Sequence, residues 1–239
     1  LITFKVDKKN VIQSKIFLES EGNQWFNRNE KTNPADDYKI AIERKKLAEW
    51  CSTRKDKISN ILEIGAGNGL PLAYLSKELN ADAIGIEPSI KAIDKWQNIR
   101  KNVDGGERTS LKNGIASDLP FENDKFDLVI FGFCLCWIER ESLFKSISEA
   151  DRVLKDGGLM SIFDFDPSGA YANPYAHKEP LKTFKTNYSD IFLASNHYAL
   201  MYKHSFSLSG KTFAEKIDER MSLSILYKQE YDVYFQYKN

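Results

Sequence analysis

Two acidic residues and a cluster of glycines are the part of this sequence best suited to chemistry. Leu62-Glu63-Ile64-Gly65-Ala66-Gly67-Asn68-Gly69 sets a G-x-G-x-G turn directly after an apolar run, and Glu87, followed by Pro88 and Ser89, ends the next such run. Glycines at such a turn let the backbone come close to a ligand and direct amide groups into a crevice. An acid at the end of the second strand accepts hydrogen bonds from both hydroxyls of a ribose. The pair therefore predicts a nucleoside site.

Two features decide which kind. Leu70 stands where the third glycine of a dinucleotide G-x-G-x-x-G turn would be, and Glu63 puts negative charge beside the turn, which suits a cationic ligand better than a pyrophosphate. S-adenosylmethionine offers a ribose diol, an ammonium and a sulfonium, and no phosphate. Glu63 also reads as an acid that caps amides of the turn.

These residues need strands and helices to position them. Ile61–Ile64, Ala83–Ile86, Phe126–Phe131 and Leu159–Phe163 are short apolar runs alternating with amphipathic stretches, the pattern of βαβ units and a mainly parallel sheet. Leu72, Leu75 and Leu79 follow i, i+3, i+7, with Asn68 as N-cap and Pro71 in the first turn. Ala92, Trp96, Ile99 and Val103 predict a second helix, and Leu143, Ile147, Ala150 and Leu154 a third, stopped by Lys155-Asp156-Gly157-Gly158. A helix is expected over about 37–51. Residues 164–190 show no clear period and predict a long excursion, while Tyr198, Leu200, Tyr202 and Met221, Leu223, Ile225, Tyr227 alternate as two closing, antiparallel strands.

Composition narrows the partners. Of 239 residues, 34 are Lys or Arg and 34 Asp or Glu, so the chain has no overall basic footprint for nucleic acid. No run of about 18 apolar residues occurs, so no membrane span is expected, and the N-terminus has no signal-like apolar core. A cytoplasmic chain is the expectation, although its first residue is Leu, which leaves an earlier or removed segment open. Cys51, Cys134 and Cys136 have no C-x-x-C spacing, which argues against a disulfide framework and a zinc site; no metal is expected. Oligomeric state is not readable.

Over about residues 36–165 the chain resembles the class I S-adenosylmethionine-dependent methyltransferases. Glu63–Gly69 looks like the family's first motif, Gly85-Ile86-Glu87-Pro88 like its ribose segment, and Leu154-Lys155-Asp156-Gly157-Gly158-Leu159 like the turn into its fifth strand. Leu119-Pro120-Phe121 before Phe126-Asp127-Leu128-Val129 is similar to the small-molecule branch that includes quinone and sterol methyltransferases. The resemblance implies an α/β, Rossmann-like, seven-stranded, mostly parallel sheet with helices on both faces and an antiparallel last strand. It divides the chain into an N-terminal segment, 1–35, as a lid, and a methyltransferase domain, 36–239, with 164–196 inserted on the substrate side.

Carried over by position, Gly65, Ala66, Gly67, Asn68 and Gly69 line the methionine part, Glu63 lies near its ammonium, and Glu87 takes the ribose. Pro88 and Ser89 flank the adenine, and a carbonyl of Phe131 or Gly132 faces the ammonium. Where many relatives carry an Asp near the adenine this chain has Ile115, so the partner of the adenine amino group is either Asp118 or the backbone of Ile115 or Ala116. Arg28 is a candidate for the methionine carboxylate, or else a surface cation.

For the acceptor, Trp25, Cys136, Trp137 and Tyr171 are candidate wall residues. His177, Asp166 and Tyr175 are candidate general bases, needed only if the nucleophile must lose a proton. The expected reaction is methyl transfer to oxygen, nitrogen or carbon of a small molecule, with a sugar or glycan precursor first and an aromatic or quinone-like metabolite second. A nicotinamide-dependent oxidoreductase and a non-catalytic S-adenosylmethionine-binding module are the competing readings.

Overall fold

The computed structural model describes residues 12–30, 42–207 and 214–230. Strands β1 (Asn60–Ile64) and β4 (Phe126–Gly132) are buried along nearly their whole length. Apolar side chains on both faces require cover on both faces, which places these strands at the centre of a sheet rather than at a half-solvated edge. β2 (Asp82–Glu87) and β3 (Thr109–Asn113) extend the sheet on one side. β5 (Leu154–Phe165), β9 (Arg220–Lys228) and β8 (Tyr198–Ser207) extend it on the other, in the order β3-β2-β1-β4-β5-β9-β8.

β1 pairs in parallel with β2 and β4, β2 with β3, and β4 with β5; β9 runs antiparallel to both β5 and β8. This is the seven-stranded, mostly parallel sheet with an antiparallel last strand that the family resemblance implies. The strand order reverses between β1 and β4, so the carboxyl ends of β1, β2 and β4 open into one crevice.

The helices follow their apolar spacing. Helix α4 (Leu70–Leu79) buries Leu72, Leu75 and Leu79, and α5 (Ile90–Ile99) buries Ala92 and Trp96. Ser89 caps α5 by accepting the Ala92 N–H at 3.1 Å. The N-cap of α4 is Gly69 at φ +76°, not Asn68, whose Oδ1 instead accepts the Leu70 N–H at 3.2 Å. Only glycine fits there, because a Cβ would lie 2.8 Å from the Trp96 ring.

Local details add to or alter these expectations. β3 has no apolar run in the sequence, because an edge strand with two exposed polar residues lacks the signal. Helix α6 (Arg140–Val153) ends before Leu154, which is already extended; Gly157 and Gly158 lie within β5, where the register against β4 shifts, and do not stop the helix. The excursion after β5 holds a two-stranded hairpin, β6 (Tyr171–Pro174) with β7 (Lys182–Lys185), and a short helix α7 (Ser189–Leu193). The N-terminal helix of the domain, α3, spans Ile42–Ser52; residues 37–41 of the expected helix lie outside the described residues.

Gly85 shows how tightly the sheet holds the glycine turn. A Cβ there would overlap Ala66 Cβ on one side and Leu111 Cδ2 on the other. Gly85→Ala is expected to destabilise the protein by about 1–3 kcal/mol through overpacking. A urea midpoint equal to wild type, with the same slope, would contradict this packing.

Candidate functional site

The glycine turn is pinned to the end of β2. Gly65 and Ala66 N–H both donate to the Ile86 carbonyl, at 2.8 and 3.2 Å, and Gly67 N–H donates to Glu87 Oε2 at 2.8 Å. The other carboxylate oxygen, Oε1, accepts the Ser89 N–H at 2.9 Å. Each oxygen keeps a further lone pair for a ligand hydroxyl. Burial pushes the Glu87 carboxyl up to about 7, with the two amide donors pulling the other way. Gly65 has φ +79°, and a Cβ on it would lie 2.7 Å from Cys134 Cβ, so the turn and the loop after β4 touch only because the residue is glycine.

These groups border a cleft at the carboxyl ends of β1, β2 and β4. One wall is Gly65, Gly67, Ile86, Glu87 and Pro88, continued by Gly114, Ile115, Ala116 and Ser117 after β3. The rest of the lining is largely apolar and aromatic, with Phe133 and Cys134 after β4, Trp137 and Ile138, and Phe17 and Trp25 from the N-terminal segment. Phe133 sits at φ +57°, a region rare for a side chain of its size, and its ring packs against Phe163 and Phe165. Strained backbone of this kind concentrates at functional sites.

The N-terminal segment covers the cleft as helices α1 (Gln13–Ile16) and α2 (Gly22–Glu30), joined by a π-helical turn over Phe17–Glu21. The π turn inserts one residue into the helical repeat, so Ser14, Phe17, Gly22 and Trp25 face the cleft while Glu21 turns away. Side chains fasten the segment down. Ser14 Oγ donates to Glu139, and Gln13 Nε2 donates to the carbonyls of Trp137 and Lys182, both at 2.7 Å. Asn23 Oδ1 accepts from Ser89 Oγ at 2.9 Å and from Lys91 N–H at 3.0 Å.

The sequence-predicted residues separate into those at the cleft and those behind it. Gly65, Gly67, Glu87, Pro88, Ile115, Ala116, Gly132, Trp25 and Trp137 line it. Ala66 is buried behind the turn, Ser89 is buried as the α5 cap, and Asn68 and Gly69 serve the start of α4. Phe131 is wholly buried against Phe192, and Asp118 is exposed and off the cleft wall, whereas Ile115 and Ala116 line it.

Glu63 also lies beneath the floor rather than on it. It is buried and ion-paired with Arg44 of α3, packed so closely under Gly132 that a Cβ there would overlap Glu63 Oε1. Burial raises the Glu63 carboxyl, with Arg44 opposing.

The acceptor-side candidates are mostly engaged elsewhere. Arg28 pairs with Glu21 and the Tyr175 hydroxyl, so its fork does not face the cleft. Tyr175 meets the Trp137 ring edge-on at 4.9 Å, and exposed His177 meets Tyr175 at 5.2 Å, one ring further out. Asp166 pairs with Lys203 at 2.9 Å, and Tyr171 donates to Asp218 at the hairpin. Cys136 is wholly buried, its thiol pushed well up by burial, and its N–H donates to Asp164 Oδ2 at 3.2 Å. Asp164 also accepts the Phe165 N–H at 2.7 Å and is pushed up to about 7 by burial; it holds the turn Leu135–Trp137 that presents Trp137.

Arg44, Phe17, Gly22 and Phe133 are absent from the sequence-based site. Arg44 had a usable signal: it shares the buried face of α3 with Leu47, Ala48 and Cys51, a cation on an apolar stripe. Phe17 and Gly22 had none, because a π turn is invisible to a 3.6-residue period.

A family described as a methyltransferase domain matches residues 61–158, the segment that supplies the turn, Glu87 and the floor. Over that segment the chain is similar to a methyltransferase domain. An uncharacterized methyltransferase of Synechocystis is 32% identical to it over 104 residues, 44% of this chain and 46% of the relative. A demethylmenaquinone methyltransferase of Staphylococcus aureus is 27% identical over 180 residues, 74% of this chain and 62% of the relative. The match spans 43%, 49% and 46% of three curated relatives, about half their length.

The likeness to solved structures extends beyond that segment. The crystal structure of Burkholderia thailandensis 1,6-didemethyltoxoflavin-N1-methyltransferase superposes with a TM-score of 0.64 at 14% identity, covering 91% of this chain and 87% of that one. A methyltransferase of Methanosarcina mazei gives 0.59 at 17% identity, covering 72% and 93%. At these identities the likeness is one of fold. No helix among the described residues is long and apolar enough to cross a membrane.

Proposed function

We propose that the cleft binds S-adenosylmethionine and that the protein transfers its methyl group to a small-molecule acceptor. The observation that carries this is the junction of Gly65, Gly67 and Glu87 in one cleft: a glycine turn and a buried carboxylate with lone pairs to spare. The methyltransferase-domain match supports it, as does the Burkholderia relative, which was crystallised with S-adenosylhomocysteine. In this reading Glu87 accepts the ribose hydroxyls, Gly65 and Gly67 border the methionine chain, Ile115 and Ala116 flank the adenine, and the N-terminal segment closes over the ligand. The rate comes from holding the acceptor in line with the sulfonium methyl.

For the acceptor, the aromatic lining favours a ring metabolite over a sugar. Phe17 and Trp137 pack at 5.4 Å, and Trp25 and Phe133 also line the cleft, side chains that stack on flat rings and offer a polyol few partners. We assign no base to His177, Asp166 or Tyr175, which lie off the lining.

The test is transfer from methyl-labelled donor into a fractionated metabolite extract, read by mass spectrometry. Label in a ring compound is expected. Donor binding without label transfer to any fraction would instead indicate a non-catalytic binding module, and NADH binding without donor binding an oxidoreductase.

A further inference from the structure

The charges around Cys134 bear on what the acceptor is. Cys134 lies in the cleft wall between the glycine turn and Trp137, its Sγ 3.1 Å from the Ile64 carbonyl. Three buried carboxylates, Asp164, Glu63 and Glu87, bear on this thiol. Among the described residues two buried cations lie near them. Arg44 is paired with Glu63, and Lys185 sits behind the Phe165 ring, 3.9 Å from its centroid, with Asp218 at 3.1 Å. No Lys, Arg or His among the described residues lines the cleft.

This arrangement disfavours an anion and offers no proton acceptor. An ionised hydroxyl or carboxylate would lose its hydration and find no cation in the lining to pair with. Of the lining groups, Glu87 is bound to the turn and to the ribose in the reading above, and desolvation pushes the half-buried Cys134 thiol well up, towards its neutral form. The aromatic lining residues, Phe17, Trp25, Phe133 and Trp137, are of the kind that attract cations.

We propose that the acceptor atom is an uncharged nitrogen on a flat, apolar ring system, methylated without loss of a proton. The nitrogen lone pair forms the N–C bond as the C–S bond breaks and its electron pair passes to sulphur. The positive charge moves from sulfonium to nitrogen, so the net charge of the cleft is unchanged and no base is required. The inference rests on the methyl-donor reading above.

Calorimetry on protein saturated with S-adenosylhomocysteine tests it with ring-matched probes. N-methylisoquinolinium is expected to bind at least about tenfold more tightly than 1-naphthoate. In turnover with labelled donor, isoquinoline above its own pKa should gain a methyl and a fixed charge, and 1-naphthol should not. Naphthoate binding as tightly as the cation, methylation of naphthol in preference to isoquinoline, or no binding by any ring probe would overturn the proposal. Failure of S-adenosylhomocysteine itself to bind would be a failure of the donor reading, and the acceptor inference would fall with it.

Discussion

Glu87→Gln is expected to weaken both S-adenosylmethionine and S-adenosylhomocysteine by about 100-fold. Hydrogen bonds to a charged acceptor contribute about 1.5–3 kcal/mol each, and losing the charge weakens two ribose bonds together. The substitution also sets an amide NH2 against the Gly67 or Ser89 N–H, which now donate to the carboxylate. Because burial holds the Glu87 carboxyl at about 7, pH should report the same contact. The ligand hydroxyls need the ionised form, so affinity in wild type should fall about tenfold per pH unit below that value, and Glu87→Gln should remove its share of this dependence. Titrations at several pH values check both statements; unchanged affinity in the variant would refute the ribose role.

The ligand-free fold has the opposite pH dependence. A carboxyl raised from 4.5 to about 7 is protonated in the native state where the unfolded chain has already lost its proton. Stability should therefore fall as pH rises through that window, by on the order of 3 kcal/mol for Glu87. Asp164, also held at about 7, adds a loss of the same sign. Donor binding then stabilises the protein most at and above neutral pH, which thermal melts with and without ligand would show.

Arg44→Met should be the most destabilising single change at the site. It leaves Glu63 buried under Gly132 without its cation, and breaking a buried pair in this way costs about 3–5 kcal/mol. Arg44 Nε and Nη1 and Glu63 Oε2 have no hydrogen-bond partner among the described residues, so the pair itself is poorly satisfied. Replacing both by Met should accordingly recover most of the loss. A double-mutant cycle in guanidinium checks this; a double variant as unstable as Arg44→Met would show that the arginine acts through packing alone. The single variant should also regain stability as pH falls, since the unpaired Glu63 then takes up a proton.

The sheet was legible in the sequence where burial is two-sided. Ile61–Ile64 and Phe126–Phe131 could belong only to central strands, and the leucine spacing from Leu72 to Leu79 fixed the helix between β1 and β2. β3 was not legible, since Thr109–Asn113 faces solvent with two of its residues and has no apolar run.

At the site, Glu87 and the glycines could be read because the constraints on them are local: a φ the turn needs, or an acid where a strand ends. Glu63 and Arg28 were harder for the opposite reason. Their partners, Arg44, Glu21 and Tyr175, come from distant segments, and charge complementarity across a fold has no period along the chain.

The central claim is that this cleft holds the methyl donor, and calorimetric titration of the folded protein with S-adenosylhomocysteine tests it most directly. Saturable binding of one ligand per chain, weakened by Glu87→Gln and by falling pH, is the predicted result. A folded sample that binds neither S-adenosylhomocysteine nor S-adenosylmethionine would contradict it.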